Sequence, residues 1–481
     1  MKSYHLRFTA QQVEELHRHL FPGDGNEAVA LVLCGRRDGA DTHVLCAHKL
    51  LLIPHDKCHE REPLRVCWPT HLGQSIYEEA MRKHMAVLKI HSHPGYYRQF
   101  SEVDDLSDAE LFDSLHGWTD DGMPHASVVM LPNKEMFARV ITADMQFVPV
   151  NRIMVAGDEI GFFDFAPSRR EVAPKDLRTA QAFGDKTVAL LNSLRVGVVG
   201  CSGTGGWIVE QLARLGVGEL VLVDPDIIEH KNLNRIVNST LEQAESKTPK
   251  VVALQSAISR MGTCTRVTAL AENLFNLDVF RTLATCDVLF GCMDTVDGRD
   301  ILNRLATFYL IPYFDLGVRL DADGKGGVNI ACGSVHFLLP GGSSLLSRRV
   351  YSPEALRVAS LRRTNPKQFA AEVDEGYIKG VKVESPAVIS INGLSATMAV
   401  NNLLARIHSF RIDPNSEIRH QWFDLINGLF GSGDGGEPCR ALQRQAGRGD
   451  MEPFLVLPGK AWDFSQGPVE GRRSARVALR A

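Results

Sequence analysis

The segment from residue 91 to residue 104 brings two imidazoles, a hydroxyl and a carboxylate close together in the chain: His91-Ser-His93-Pro-Gly-Tyr-Tyr-Arg-Gln-Phe-Ser101-Glu-Val-Asp104. Histidines two residues apart on a strand point to the same side of the sheet. Two imidazoles, one carboxylate and one open position make a catalytic zinc site, whereas structural sites are closed by four protein ligands. We therefore predict that His91, His93 and Asp104 bind zinc, with water in the fourth position.

This spacing resembles the JAMM (MPN-type) metalloprotease motif, in which two histidines are followed by a serine and then by an aspartate. That family also carries a glutamate on its first strand, and Glu27 stands just before the apolar run 28–33. The resemblance covers about residues 1–150. It implies that Glu27 moves a proton from water to the leaving amine and that Ser101 stabilises the oxyanion. It also implies hydrolysis after the C-terminal glycine of a ubiquitin-like protein.

Each of these residues also has a purely structural interpretation. A His-x-His pair can be solvated on a strand, and Ser101 with Asp104 forms a capping box at the start of a helix. Asp105 and Asp108 are expected to be first-turn charges that complement the helix dipole. The alternative to a peptidase is therefore an inactive module that only binds the small protein, and zinc content distinguishes the two.

A second group of residues has the chemistry of a nucleotide site. The loop Val199-Gly200-Cys-Ser-Gly203-Thr-Gly205-Gly206 follows a predicted strand and opens a helix. Glycines let a phosphate approach the backbone, and the amino end of a helix favours negative charge. The next strand leads to Asp224 and Asp226, at the place where an acid commonly binds ribose hydroxyls. This much suits a nicotinamide oxidoreductase as well as an ATP-dependent enzyme.

Residues farther along the chain favour ATP. Three groups follow in the order found in ThiF/MoeB adenylating enzymes: the segment 229–235, Lys250 and the segment 291–294. The chain resembles these enzymes over about residues 176–410. Arg178 resembles the arginine with which such enzymes reach the phosphates in a partner subunit, which implies a homodimer. Carried over to this sequence, the resemblance implies that ATP binds at Gly200, Gly203, Gly205, Asp224, Asp226, Asn232, Arg235 and Lys250, that Asp294 binds Mg²⁺, and that Arg299 and Asn303 support the site.

The resemblance to ThiF/MoeB enzymes fails at one metal site. Where many relatives have a Cys-x-x-Cys pair, this chain has Ser344 and Ser347, and Cys439 alone lies near the place of the second pair. We therefore expect the structural zinc to be lost. No cysteine occurs between residues 341 and 389, where activating enzymes often carry a thioester nucleophile. Cys332 and Cys439 stay open as thioester candidates, and we favour adenylation without a thioester step.

The elements that must position both groups follow from the hydrophobic pattern. Residues 86–90 are expected to form the strand that leads to His91, and residues 102–116 the helix that follows Ser101. Strands and helices alternate from about 195 to 332, which indicates a doubly wound parallel sheet. We predict an α/β chain with an α+β JAB/MPN metalloprotease domain at 1–150, a linker at 151–175, a Rossmann-like ThiF/MoeB adenylation domain at 176–410 and an extension of unknown role at 411–481.

Composition excludes several classes of function. The chain has 481 residues, of which 44% are hydrophobic and 23% charged, and its formal net charge is −4. Neither nucleic acid nor an anionic membrane is therefore an expected partner. No apolar run has membrane-spanning length and the first residues lack the apolar core of an export signal, so we expect a cytoplasmic protein. The ten cysteines are scattered without paired spacing, as in a reducing compartment.

Together these patterns predict a bifunctional enzyme with Zn²⁺, ATP and Mg²⁺ as cofactors. Its N-terminal half would process or deconjugate a β-grasp protein of the ubiquitin-like or sulfur-carrier class, and its C-terminal half would adenylate the exposed terminal glycine. A conjugating enzyme is a candidate acceptor. The alternative is a sulfur-carrier adenylyltransferase of cofactor or amino-acid biosynthesis, with the N-terminal half as a processing or binding module. Fusion is expected to raise the concentration of the processed product at the second site.

Overall fold

The computed structural model describes residues 2–164, 172–374 and 386–456. Each helix in these ranges is too short or too polar to cross a membrane. The N-terminal part contains the strands β1 (Ser3–Thr9), β2 (Val29–Asp38), β3 (Thr42–Leu52), β4 (Glu60–Glu62), β5 (Arg65–Cys67), β6 (Ala86–Ser92), β7 (His125–Met130), β8 (Met136–Ile141), β9 (Phe147–Pro149), β10 (Arg152–Ala156) and β11 (Gly161–Asp164), and the helices α1 (Ala10–Leu20), α2 (Gln74–Lys83) and α3 (Glu102–Thr119).

Nine of these strands form one mixed sheet in the order β11-β10-β1-β3-β2-β6-β7-β8-β9. Alternate residues of β2 enter two different cores: Ala30 packs on the face that α1 covers, and Leu31 on the face that α2 and α3 cover. Burial on both faces explains why β2 reads as an uninterrupted apolar run. β6 lies antiparallel to β2 with His91 opposite Val29. His91 therefore lies at the end of the sheet where β2 begins and β6 ends.

The predicted linker at 151–175 is wrong for its first half. Residues 152–156 and 161–164 form β10 and β11, and β10 pairs with β1 with Ile153 opposite Leu6. The segment has a mixed character because these two short strands combine buried apolar residues with the charged Arg152, which pairs with Asp164. Residues 165–171 lie outside the described part of the chain.

The C-terminal part is built on a second sheet. Its strands are β12 (Arg195–Val199), β13 (Glu219–Val223), β14 (Arg266–Leu270), β15 (Val288–Gly291), β16 (Tyr313–Ala322), β17 (Val328–Leu338), β18 (His420–Asp424) and β19 (Leu429–Gly433). Its helices are α4 (Leu177–Ser193), α5 (Gly203–Arg214), α6 (Leu241–Glu245), α7 (Lys250–Met261), α8 (Leu277–Leu283), α9 (Val296–Phe308), α10 (Pro353–Thr364), α11 (Pro366–Asp374), α12 (Ile389–Ile407) and α13 (Arg440–Gln443).

The strand order of the second sheet is β14-β13-β12-β15-β16-β17-β18-β19. The first five strands are parallel and the last three continue the sheet as antiparallel neighbours. The order reverses between β12 and β15, and ligands of doubly wound sheets bind outside the carboxyl ends of the strands at such a point. β18 and β19 belong to the predicted extension 411–481, so this extension completes the sheet as far as residue 433. Residues 457–481 lie outside the described ranges.

Candidate active sites

The metal-binding candidates converge at the carboxyl end of β6, a central strand of the nine-stranded sheet. His91 and His93 lie at the carboxyl end of β6, and Asp104 lies in the first turn of α3. Nε2 of His91 is 3.1 Å from Nε2 of His93 and 2.9 Å from Oδ1 of Asp104. Nε2 of His93 is 3.5 Å from Oδ2 of Asp104. Zinc–ligand bonds of roughly 2.0 Å separate tetrahedral ligands by about 3.3 Å, so these atoms fit a tetrahedral zinc ion.

Within the described ranges, this cluster is the one group of three or more His, Cys, Asp or Glu side chains whose ligating atoms all lie within 4.8 Å of one another. All three side chains are buried. Nδ1 of His93 lies 2.8 Å from the carbonyl oxygen of Tyr97. This second contact fixes the ring so that Nε2 faces the cluster, as in metal-binding histidines.

Glu27 and Ser101 lie beside the cluster in different ways. Oε1 of Glu27 is 3.9 Å from Nε2 of His93, so the carboxylate borders the position where a metal would sit. The Ser101 hydroxyl donates to Oδ2 of Asp104 at 2.8 Å and accepts the backbone N–H of Asp104 at 3.1 Å. Because a serine hydroxyl has one proton to donate, Ser101 here caps α3 and orients Asp104. To donate to an oxyanion, as predicted, the Ser101 hydroxyl must first give up its hydrogen bond to Asp104.

Burial is the largest single influence on the pKa values of the cluster, but hydrogen bonds outweigh it at Asp104. Burial raises the pKa of Glu27 to about 8, against the opposing effect of His93. Burial also opposes ionisation of Asp104, but hydrogen bonds with His91 and His93 hold the pKa of that carboxyl well below its usual range. Burial lowers the pKa of His91, which favours the neutral imidazole that metals bind.

A narrow cleft opens next to the cluster, and the β4–β5 hairpin forms one of its walls. The backbone N–H of Glu27 donates to the carbonyl oxygen of Glu62 at 2.9 Å, and Nε of Arg61 donates to the carbonyl oxygen of Glu27 at 3.0 Å. The hairpin is thus anchored on the proposed proton carrier itself. Sequence analysis missed it because three-residue strands give no periodic signal. The cleft is lined by Glu27, Val29, Leu64, Arg65, Val66, Trp68, Lys89, His91, Val103, Asp104 and Ser107.

Asp108 is not the first-turn charge that the sequence suggested. Its side chain is fully buried and pairs with Lys89 of β6 and Arg139 of β8, with Nη2 of Arg139 2.7 Å from Oδ2. Asp105 also pairs with Arg139, but its side chain is 50% exposed. The buried pairs tie α3, which carries Asp104, to the strand that carries His91. Its partners lie on other strands, so local spacing gives no sign of this network.

The predicted nucleotide loop has the tight backbone that a phosphate site needs. Gly200 has a φ of 87°, and a Cβ there would lie 2.7 Å from the carbonyl oxygen of Cys292. A Cβ on Gly205 would lie 1.8 Å from the carbonyl oxygen of Gly200. Both positions therefore require glycine. The loop joins the carboxyl end of β12 to the amino end of α5 at Gly203, where free N–H groups favour an anion.

Asp224, Asp226 and Lys250 lie against this loop. Oδ2 of Asp224 accepts the backbone N–H of Cys201 at 2.7 Å, and Oδ1 accepts that of Asp226 at 2.9 Å. Nζ of Lys250 lies 2.7 Å from Oδ2 of Asp226 and 3.7 Å from Oδ1 of Asp224. Lys250 is buried, and burial raises the pKa of Asp224 even with this ammonium beside it. The structure therefore brings the predicted acids and the lysine together with the glycines.

Other predicted residues surround the loop at different depths. A Cβ on Gly203 would lie 3.4 Å from Cδ of Arg235 and 2.3 Å from Nδ2 of Asn392. Asn392, on α12, was missed by sequence analysis because nearly two hundred residues separate it from the glycines. Asn232 is buried in a short 3₁₀ turn. Asp294 is exposed in the segment after β15. It therefore lies, like the glycine loop, at the carboxyl ends of the parallel strands.

Three further predicted residues lie outside the glycine loop. Nε of Arg299 donates to Oδ1 of Asp315 at 3.0 Å, and Asp315 is fully buried. Oδ1 of Asn303 accepts the backbone N–H of Leu345 at 3.0 Å. These two side chains thus fasten β16 and the segment after β17 to α9. Arg178 is exposed near the start of α4, and its role towards a partner subunit stays a prediction.

The segments that would hold a structural zinc lie side by side, but neither has a Cys-x-x-Cys pair. Each hydroxyl of Ser344 and Ser347 accepts the backbone N–H of the other residue, at 3.0 and 2.9 Å. The backbone N–H of Cys439 donates to the carbonyl oxygen of Gly342 at 2.9 Å. Cys439 is buried, and Cys332 is half-buried within β17. The loss of this zinc and the absence of a thioester step stay predictions.

Comparison with protein families agrees with this geometry. Residues 175–419 match the family model described as the ThiF family. The chain belongs to the ThiF family. Residues 9–142 match a second model, described as prokaryotic homologs of the JAB domain. The predicted fusion of a JAB-type part with a ThiF-type part is therefore confirmed, and so is the α/β fold class.

Curated relatives of this ThiF family member match parts of the chain. Ubiquitin-like modifier-activating enzyme 5 of Dictyostelium discoideum is 24% identical over 232 residues, which are 46% of this chain and 54% of that protein. The SAMP-activating enzyme E1 of Haloferax volcanii is 33% identical over 122 residues, 25% of this chain and 44% of the relative. The chain thus spans about half the length, or less, of these relatives. A crystal structure of E. coli MccB with ATP covers 56% of this chain and 73% of its own, at 16% identity and a TM-score of 0.42.

Proposed function

We propose that the chain is a bifunctional enzyme that acts on a β-grasp protein with a C-terminal glycine. A zinc-dependent peptidase or isopeptidase exposes that glycine, and an ATP-dependent adenylyltransferase activates it. One observation carries the proposal: a tetrahedral His–His–Asp cluster beside Glu27 and a glycine loop beside the buried Lys250 occur in one chain. The names of the modifier-activating relatives support the substrate class.

At the first site, His91, His93 and Asp104 would bind zinc. A bound zinc ion supplies a Lewis acid and lowers the pKa of water. Glu27 accepts a proton from the attacking water at its carboxylate and donates it to the leaving amine. The C–N bond after the terminal glycine breaks, which leaves a glycine carboxylate and a free amine. Ser101 keeps Asp104 oriented through its hydroxyl.

At the second site, the glycine loop and the amino end of α5 receive the phosphates of ATP. Lys250 and Arg235 supply positive charge, Asp224 binds the ribose, and Asp294 would bind Mg²⁺. A carboxylate oxygen of the terminal glycine attacks the α-phosphorus, an O–P bond forms, and pyrophosphate leaves with the electron pair. Positioning and fixed charge supply most of the rate enhancement in such a transfer. The proposal includes a homodimer in which Arg178 reaches the nucleotide of the partner chain.

A second candidate is sulfur-carrier chemistry in the same two sites. The segment between residues 341 and 389 contains no cysteine, which favours transfer of the acyl group from the adenylate directly to an external thiol or sulfur donor. The acceptor distinguishes the candidates. A thiocarboxylate on the probe, formed when sulfide is supplied, supports the sulfur carrier, whereas an amide with an added amine or a thioester with a conjugating enzyme supports the modifier.

The test offers the zinc-loaded full chain two β-grasp probes that end in glycine, ubiquitin and a bacterial sulfur carrier. Each probe is supplied with and without a short C-terminal extension. We expect Glu27→Gln, which keeps the shape of the side chain, to abolish loss of the extension. We expect Lys250→Met to lower pyrophosphate exchange on the unextended probe by at least about a hundredfold, because a buried positive charge near the phosphates is removed. Unchanged rates in both variants would contradict the proposal.

A further inference from the structure

The two parts of the chain meet at a buried joint. Nη1 of Arg7 donates to the carbonyl oxygens of Ala284 and Tyr309 at 3.0 and 2.9 Å, and Nη2 donates to that of Cys286 at 2.9 Å. Arg7 is 1% exposed, and one hydrophobic core runs from Phe8 of β1 across to Tyr309. Domain motion is the default for small polar interfaces, whereas a hydrophobic and hydrogen-bonded joint holds two domains in one arrangement.

On the ThiF side, β12, β15 and β16 approach the joint with their amino ends. Nη2 of Arg152 donates to Oγ of Ser193, just before β12, at 2.6 Å, and Nη1 donates to Oδ2 of Asp287, just before β15, at 3.0 Å. Tyr309 precedes β16. The nucleotide residues follow the carboxyl ends of the same strands, as Gly200 does after β12. Strands of four or five residues place the two ends roughly 15 Å apart.

On the JAB side, the zinc cluster also lies at the end far from the joint. β2 begins at Val29, opposite His91, and runs away from the cluster towards Arg36. There the carbonyl oxygen of Arg36 accepts the backbone N–H of Asp450, at 2.8 Å, in the returning C-terminal segment of the other part. Seven residues of extended strand cover roughly 23 Å. Each site therefore lies a full strand length from the joint.

We propose that the two sites face away from each other and that the processed modifier leaves the chain between cleavage and adenylation. This inference rests on the proposed function. The path from the zinc cluster through the joint to the glycine loop follows both strands and is roughly 35–40 Å long, whereas an extended tail of six residues reaches roughly 20 Å. A modifier bound at the zinc site therefore cannot place its terminal glycine at the nucleotide loop. The free glycine carboxylate is a diffusible intermediate, and the expected gain in local concentration from fusion is not realised within one chain.

The placement is tested by a distance that needs no modifier. Cu²⁺ is bound at the His91–His93 cluster in place of zinc, a spin-labelled ATP analogue is bound at the second site, and pulsed EPR measures their separation in the full chain. We expect a distance greater than the roughly 20 Å reach of one tail. His91→Ala, which removes a copper ligand, is the control for specific copper binding. A distance within that reach would overturn the inference.

Release of the intermediate is tested by isotope dilution. An extended light probe is mixed with a tenfold excess of the same probe in ¹⁵N-labelled, already processed form, and the adenylate is trapped with hydroxylamine. We expect the ratio of heavy to light hydroxamate to equal the ratio of heavy to light processed probe in solution, from the first turnover. Enrichment of the light product several-fold above its share would overturn the inference, whether the handover occurs within one chain or across a dimer. If no probe reacts, the proposed function fails while the EPR distance still decides the placement.

Discussion

The Nε2 atoms of His91 and His93 and the carboxylate oxygens of Asp104 lie 2.9–3.5 Å from their nearest partners in the cluster. The end of one strand and the first turn of one helix hold them in place. Their residue types and spacing could be recognised in the sequence, because each ligand is local to its neighbours in the chain. Lys89 and Asp108, which fix the strand to the helix, could not be recognised. Asp108 pairs with both Lys89 and Arg139, and this network depends on three separate elements coming together.

Removal of one ligand should separate a zinc site from a solvated histidine pair. We expect His91→Ala to weaken zinc binding by at least about a hundredfold, since even residues that only orient a ligand account for ten- to hundredfold effects. Competition with a chromophoric chelator measures the affinity. His71→Ala removes an exposed histidine of the same domain and should leave it unchanged. Equal zinc affinity in the two variants would contradict the ligand assignment.

The buried ion pairs behind the cluster should be costly to break. Asp108→Ala leaves the charges of Lys89 and Arg139 without their buried carboxylate, so we expect a loss of about 3–5 kcal/mol of unfolding free energy. Asp105→Ala removes a half-exposed partner of the same arginine and should cost no more than about 1 kcal/mol. Urea unfolding followed by circular dichroism measures both. Similar midpoints for the two variants would show that burial at Asp108 is not what stabilises α3.

At the level of elements, strongly patterned segments were predictable and short paired ones were not. The strand expected at 86–90 is found at 86–92, and the helix expected at 102–116 is found at 102–119. The β4–β5 hairpin was missed and β10 was placed in a linker, because strands of three to five residues owe their existence to a partner strand. Asn392 was missed for a related reason, since α12 reaches the glycine loop only in the folded chain.

The returning C-terminal segment offers a test of close packing against β3. Gly447 has a φ of 77°, and a Cβ there would lie 2.0 Å from the carbonyl oxygen of Ala47. Gly436 has nearly the same φ, 76°, with nothing within 4 Å of its Cβ position. We expect Gly436→Ala to cost about 1–2 kcal/mol through backbone strain alone. Gly447→Ala should cost more and release the segment from β3.

Amide hydrogen exchange of residues 440–456 in the full chain measures that release. Faster exchange is expected in the Gly447→Ala chain, with little change in the Gly436→Ala chain. Equal protection in the two variants would mean that the segment does not depend on the close approach at Gly447.

At the scale of the whole molecule, the joint between the two parts is the feature that the sequence could not reveal. Arg7 bonds to carbonyl oxygens 277 and 302 residues away, and nothing in the local pattern distinguishes it from a surface arginine. The two domains could be predicted because each has its own motif. The relative orientation of the two domains depends on contacts between a strand of one domain and turns of the other. Such contacts give no periodic signal in the sequence.

Arg7→Met should loosen the two parts from each other. It removes the guanidinium donors of three buried carbonyl oxygens, of which that of Tyr309 keeps the weak thiol donor of Cys46, and each unsatisfied group costs about 1–3 kcal/mol. We therefore expect calorimetry of the full chain to change from one main transition to two. Arg37→Met removes contacts to Arg281 and Asp450 at the partly exposed rim of the joint and should have a smaller effect. Two variants with the same single transition would contradict a joint centred on Arg7.

The central claim is that one chain carries a peptidase site and a separate adenylation site. The most direct measurement is intact-mass spectrometry of one reaction, in which the full chain, Zn²⁺, ATP, Mg²⁺ and hydroxylamine act on an extended β-grasp probe. We expect the wild type to convert the probe to the trimmed hydroxamate, Asp294→Asn to stop at the trimmed carboxylate, and Glu27→Gln to leave the extended probe intact. Hydroxamate formation by Glu27→Gln from the extended probe, or by Asp294→Asn at the wild-type rate, would contradict the two-site assignment.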